Sequence, residues 1–157
     1  MAIIFSKKCE YGIQGVLYLA LKGLNTVTPV EEIAAHLDIP REFISKILQG
    51  LTANKIIGSK KGKNGGFFLA KPSNKIKLYD VVVAIDGDGI FSQCVLGFPD
   101  CSGEYPCPVH DEWSKLIKDT YLMLNSQTVD HFKDKVTRKI HSIGLKKKKN
   151  AKSRSVN

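Results

Sequence analysis

Three cysteines and one histidine fall close together in this sequence, as Cys94-x6-Cys101-x5-Cys107-x2-His110. Thiolates are soft ligands that take zinc, copper(I) or an iron–sulfur cluster. The residues between them include Gly97, Pro99, Gly103, Pro106 and Pro108, so the segment is predicted to be a loop able to fold round one centre. Cys107 and His110 lie one helical turn apart, which brings both side chains to one side. A Cys3His set of this kind suits a structural zinc, and it equally suits a cluster with one histidine ligand. Spacing leaves that choice open.

A disulfide framework is disfavoured. The start, MAIIFSKKCEYG, puts its apolar run before its charges, the reverse of a secretory signal. The chain is therefore expected in the cytoplasm, where thiols stay reduced. Cys107 and His110 could also form a nucleophile–base pair, but no orienting acid, phosphate loop or cofactor fingerprint accompanies them, so no enzyme is predicted. His36, His131 and His141 stand alone on predicted helices and are assigned no chemistry. Asp86 and Asp88 flank Gly87 and read as a turn that ends a helix. Cys9 falls on the apolar side of the first helix, where a thiol acts as a small buried hydrophobe.

These candidate ligands need a scaffold. The chain has 157 residues, 43% of them hydrophobic, enough for one sizeable core or a small domain with an arm. It lacks an apolar run of about 18 residues, so no membrane span is predicted. The net charge of +9 divides into +6 over 1–80, −3 over 81–145 and +6 over 146–157. A basic N-terminal half points to an anionic partner, most often nucleic acid. The tail KKKKNAKSRSVN is predicted to be a disordered, solvated end.

Ile13, Val16, Leu17, Ala20, Leu21 and Leu24 mark one stripe of a first helix, ending near Gly23 and Asn25. Thr28-Pro29-Val30-Glu31 reads as a helix start, with Thr28 as N-cap, Pro29 in the first position and Glu31 completing a capping box. That helix buries Ile33, Ala34 and Leu37, and Asp38-Ile39-Pro40 forms a turn. A third helix over 41–54 buries Ile44, Ile47, Leu48 and Leu51. Two short helices joined by a tight turn are a helix-turn-helix signature. Glu42, Ser45, Lys46 and Gln49, with Arg41 at the start, are predicted to face DNA from the third helix. Strands over 56–60 and 67–70 flank GKNGG, a hairpin whose Lys60, Lys61 and Lys63 would meet phosphates or a minor groove. Leu78 to Asp86 reads as a further helix. After the cysteines, Val109, Trp113, Leu116, Ile117, Thr120 or Tyr121, and Leu124 form a stripe that one small domain has trouble covering. Thr128 is expected to cap a last helix reaching Ser142.

SKKCEYGIQGVLYLAL, IPREFISKILQGLTANKIIGSKKGKNGGFFLAKP and CPVHDEW resemble the Rrf2-type winged-helix regulators, which include IscR-, NsrR- and RirA-like proteins. The similarity runs over about 3–140 and includes the G-G-[FY]-x-L-A wing end, here Gly65 to Ala70. It implies a mainly α fold with a small β-hairpin wing. On that reading 1–80 is a winged helix-turn-helix domain, 81–142 carries the metal loop and a long dimerisation helix, and 143–157 is the basic tail. It also implies a cytoplasmic homodimer on a palindromic double-stranded operator, acting as a repressor that senses redox, nitric oxide or iron status. The implied cofactor is a 2Fe-2S or 4Fe-4S cluster on Cys94, Cys101 and Cys107, with zinc or metal-free thiols as the alternative. His110 matches the histidine ligand of IscR-like members. Glu10 matches an acidic residue that reaches the other subunit's cluster in NsrR-like members. Two departures stand out. The first two cysteines are separated by six residues rather than five, and Ser45 replaces an acidic residue that discriminates operators in IscR-like members.

Overall fold

The computed structural model describes residues 4–133 and 135–143. In chain order it contains α1 (Lys7–Lys22), α2 (Val30–Leu37), α3 (Arg41–Thr52), β1 (Ile57–Lys60), β2 (Gly66–Leu69), α4 (Leu78–Asp86) and α5 (His110–Ser126). Residues 135–143 are also helical. The architecture is mainly helical with one antiparallel hairpin. No helix among the described residues is long and apolar enough to cross a membrane. The basic tail lies outside the described residues.

The core gathers around α1. Its fully buried side chains are Cys9, Val16, Leu19 and Ala20, while Ile13, Leu17 and Leu21 are half-buried and Leu24 is exposed. The expected stripe was therefore drawn about one position off the buried line. The glycines explain the shift. A Cβ on Gly12 would lie 2.2 Å from Ile85 Cδ1 and 3.2 Å from Ile47 Cγ2. The barest strip of α1 is the one that α3 and α4 press against, and a hydrophobicity pattern does not count it as a contact face.

At the N-terminus of α1, Ser6 is the cap: its hydroxyl oxygen accepts from the Cys9 N–H at 3.0 Å. Ser6 is in turn held by Asp86, the last residue of α4. Its N–H donates to Oδ2 at 2.8 Å and its hydroxyl donates to Oδ1 at 2.5 Å. Asp86 thus does more than end a helix, because it ties the end of α4 to the start of α1.

The helix-turn-helix follows the sequence closely. Ile33, Ala34 and Leu37 of α2 pack with Ile44, Leu48 and Leu51 of α3, and Asp38 turns the chain in the left-handed region at φ 59°. The capping box does not form. Pro29 is the N-cap of α2, and no side chain bonds there. Thr28 is instead drawn into the hairpin: its N–H donates to the Phe67 carbonyl at 2.8 Å, and its carbonyl accepts from the Phe67 N–H at 2.9 Å. Its hydroxyl donates to the Thr26 carbonyl. A tertiary backbone pair outcompeted the local cap, and Thr28 is only 2% exposed. Gly66 permits this approach, since a Cβ there would sit 2.2 Å from the Thr28 oxygen.

In the hairpin Ile57 faces Leu69 and Ser59 faces Phe67. Ile57, Phe67 and Leu69 are buried, the period-two pattern of a half-covered strand pair. Gly62 turns the tip at φ 103°. Thr128 is the N-cap of a 3-10 turn, Val129–Phe132, without a side-chain bond, and the expected last helix follows that turn, with residues 135–143 helical. Of the stripe on α5, Ile117 and Leu124 are buried, whereas Leu116 is 47% exposed.

Candidate metal centre and nucleic-acid interface

The chain leaves α4 through Gly87 and does not re-enter a regular α-helix until His110. The segment between folds back on itself. Gly97 and Asp100 take positive φ, and the Gly97 N–H donates to the Cys94 carbonyl at 3.0 Å. Residues 102–106 are exposed. These bends bring Cys94, Cys101 and Cys107 together, with all three sulfurs within 4.8 Å of one another. The Cys94 and Cys107 sulfurs are 3.6 Å apart. Each thiol is half-buried and unbridged.

His110 is the first residue of α5, and its N–H donates to the Cys107 carbonyl at 3.0 Å. Its Nδ1 lies 3.2 Å from the Cys101 sulfur, so it touches one thiol and is not part of the mutual trio. Glu10 is on α1, where its carboxylate pairs with Lys7 Nζ at 2.6 Å.

The thiols differ in acidity. Burial raises Cys94 most, but backbone hydrogen bonds at Phe98 and Leu96 and the thiols of Cys107 and Cys101 bring it below its ordinary value. At Cys107 a backbone hydrogen bond at Val109 favours the thiolate. Burial and the neighbouring Cys94 and Cys101 outweigh it and leave the thiol raised. Crowded thiols that cannot all ionise alone are what a cation relieves.

The donor chemistry fits a thiophilic group. The spacing resembles a single tetrahedral ion: metal–sulfur bonds of about 2.3 Å set ligand edges of about 3.8 Å, close to the 3.6 Å of Cys94 and Cys107. A cluster spreads its ligands over two or more irons and asks for wider spacing, which the exposed 102–106 segment leaves room to adopt.

The trio opens on a cavity of about 350 Å³, shared with Phe91, Gln93, Trp113, Ile117 and Tyr121. The Trp113 indole N–H donates to the Gln93 carbonyl at 2.9 Å. Tyr121 of α5 meets Tyr79 of α4 edge-on at 5.2 Å and Phe91 at 5.8 Å. The thiol loop is thereby joined through α5 to α4, which packs on α1 and α3. Sequence reasoning missed this aromatic trio, because its members are 42 residues apart at the extremes. Cys9 lies elsewhere, fully buried with Val82 and Leu124. Burial, then the Asp86 carboxylate, push its thiol up to about 12.

A second cleft, about 570 Å³, runs between α3 and the hairpin. Arg41, Ser45, Gln49, Lys60, Lys61 and Lys63 all line it, together with Glu31 from α2. Glu42 and Lys46 are exposed on α3 outside that lining. Phe43, absent from the sequence expectations, is 63% exposed on the same helix. A polar helix beside a basic hairpin defines the class: a winged helix-turn-helix protein.

Comparison with known proteins narrows the class. Residues 5–135 match the Rrf2 family of iron-dependent transcriptional regulators. A relative from Aquifex aeolicus, named as an HTH-type transcriptional regulator, is 35% identical over 133 residues, covering 83% of this chain and 86% of the relative. IscR of Pectobacterium carotovorum is 26% identical, covering 80% of this chain and 76% of that protein. Among solved structures, CymR, the global cysteine regulator of B. subtilis, superposes with a TM-score of 0.68 at 18% identity, covering 83% of this chain and 95% of that one. IscR of T. potens superposes with a TM-score of 0.63 at 21% identity, covering 81% and 83%. These structural likenesses concern the fold. The family match and the Aquifex relative place the chain: it belongs to the Rrf2 family of transcription regulators, not to a family of enzymes. DNA is the partner that membership implies.

Proposed function

We propose that this chain is a cytoplasmic, homodimeric repressor whose grip on a palindromic operator is set by an iron–sulfur cluster held by Cys94, Cys101 and Cys107, with His110 as the fourth ligand. The observation that carries the reading is the convergence of three thiols within 4.8 Å at the entrance of α5. The IscR relatives support it. Glu10 is the alternative fourth ligand, reaching from the other subunit once it leaves Lys7. Leu116, Leu122 and Met123, each about half exposed on α5, suit burial against a second copy.

When bound, a cluster supplies a centre that oxidants, nitric oxide or iron shortage can alter. The chain's own residues convert that into a DNA response. Trp113 ties the loop to α5, and the Tyr79–Phe91–Tyr121 contacts tie α5 to α4. Rearrangement of the loop would tilt α5 and alter the separation of the two recognition helices across the dimer. Half-sites a helical turn apart then cease to fit both copies. Within each copy, Ser45, Lys46 and Gln49 read base edges, while Arg41 and Glu42 border them and Lys60, Lys61 and Lys63 approach phosphates.

A second reading rests on the 3.6 Å sulfur pair. It makes the group a single zinc with a structural role. One experiment separates the two: an absorbance spectrum of anaerobically purified protein, with iron, sulfide and zinc measured per chain. Visible charge-transfer bands with matched iron and sulfide support the cluster. Colourless protein that stays so after reconstitution, with one zinc per chain, refutes it.

A further inference from the structure

The cleft assigned to DNA is lined by a carboxylate, Glu31, as well as by lysines, and a second carboxylate, Glu42, pairs with its Arg41. Arg41 Nε donates to Glu31 Oε1 at 2.7 Å, and Nη1 donates to Glu42 Oε1 at 2.7 Å. Glu31 comes from the first turn of α2, and Glu42 from the first turn of α3. The Arg41 side chain is 53% exposed, Glu31 62% and Glu42 76%. Ion pairs this exposed contribute little to folding, so stability does not account for the arrangement. Its effect is on the charge that DNA meets. Two of the guanidinium's donors are committed, and the corner carries one net negative charge beside Lys60, Lys61 and Lys63.

Phosphate contacts supply affinity without sequence information. An arginine loose in this cleft would add one such contact on any DNA. We propose that Glu31 is a positioning residue that holds Arg41 away from the phosphate backbone, restraining sequence-independent binding and leaving discrimination to the exposed face of α3. This inference rests on the reading of α3 and the hairpin as the DNA face.

The test uses the full-length protein and a random-sequence duplex, titrated over a range of salt concentrations. Glu31→Gln removes the ion pair at Nε while keeping side-chain size, so that Arg41 is tied only to Glu42, its neighbour on α3, and no longer to α2. Binding should rise about five-fold at 0.15 M salt, and the plot of log K against log salt should steepen by about 0.9, the signature of one added phosphate contact. The Glu31→Gln/Arg41→Ala double variant should lose the gain. A gain that survives in the double variant overturns the proposal, since charge alone would then explain it. So does an unchanged Glu31→Gln slope. Lys61→Ala is the control on the underlying reading and should flatten the slope by about 0.9. If it does so while Glu31→Gln has no effect, only this inference fails. If Lys61→Ala also has no effect, the assignment of the DNA face fails and the inference falls with it.

Discussion

Asp86→Ala is expected to destabilise the metal-free protein by about 2 kcal/mol. The carboxylate accepts from both the Ser6 N–H and the Ser6 hydroxyl. A hydrogen bond to a charged acceptor contributes about 1.5–3 kcal/mol, and these two are solvent-exposed, so about 1 kcal/mol each is the appropriate scale. Ser6→Ala removes the hydroxyl contact and also the cap on Cys9, for a loss of roughly 1–2 kcal/mol. Because the two residues share a bond, their effects should not add. The double variant should fall short of the sum by about 1 kcal/mol. Asp86→Asn can keep the N–H contact and should lose about half as much as Asp86→Ala. Urea unfolding measures all four proteins, with the midpoint shifting and the slope constant. A loss of 2 kcal/mol corresponds to a fall in Tm of roughly 4–8 °C for a chain of this size. An Asp86→Ala change under about 0.5 kcal/mol, or strictly additive effects, would refute the reasoning.

Thiol titration of the metal-free protein should find three fast cysteines and a slow Cys9 that reacts only on unfolding. The Cys9 thiol is held neutral up to about 12, above its unfolded value of about 8.5. Its share of stability is therefore complete below about pH 8.5 and is lost as pH rises toward the folded value. Glu32 behaves oppositely. Lys22, against some burial, and the Tyr18 hydroxyl hold its carboxyl below the ordinary range. Its contribution is present above about pH 4.3 and is lost as pH falls through the lowered value; Glu32→Gln should flatten that acid limb of the stability curve. Gly12→Val drives a side chain into Ile85 and Ile47 and should cost about 1–3 kcal/mol in urea unfolding. Trp113 is the sole tryptophan and lines the thiol cavity, so its fluorescence should change on zinc or iron–sulfur loading. Cys101→Ala should remove that change while leaving the helical circular-dichroism signal intact.

The helix-turn-helix was legible because its information is local. Ile44, Ile47, Leu48 and Leu51 repeat at helical spacing, and the turn is made by the residues between the helices. The thiol cluster was legible as a composition of ligands, because glycines and prolines mark a loop wherever they occur together. Where the sequence misled, a distant partner had entered. Thr28 carries every local sign of an N-cap, yet Phe67 offers it two backbone hydrogen bonds, which only the folded hairpin can supply. Gly12 looks like a weak point in a helix until α3 and α4 are brought against it. Asp86 does end its helix as the sequence says, and the tie to Ser6, 80 residues away, is what the sequence left out. The Arg41–Glu31 pair and the aromatic link between loop and α4 are likewise tertiary. By itself the sequence determined most of the elements, the thiol-bearing loop, the basic hairpin and the family. Tertiary structure decided which thiols meet, which arginine is paired with carboxylates and how the thiol loop is joined to α4, because those depend on distances between residues that no local periodicity encodes.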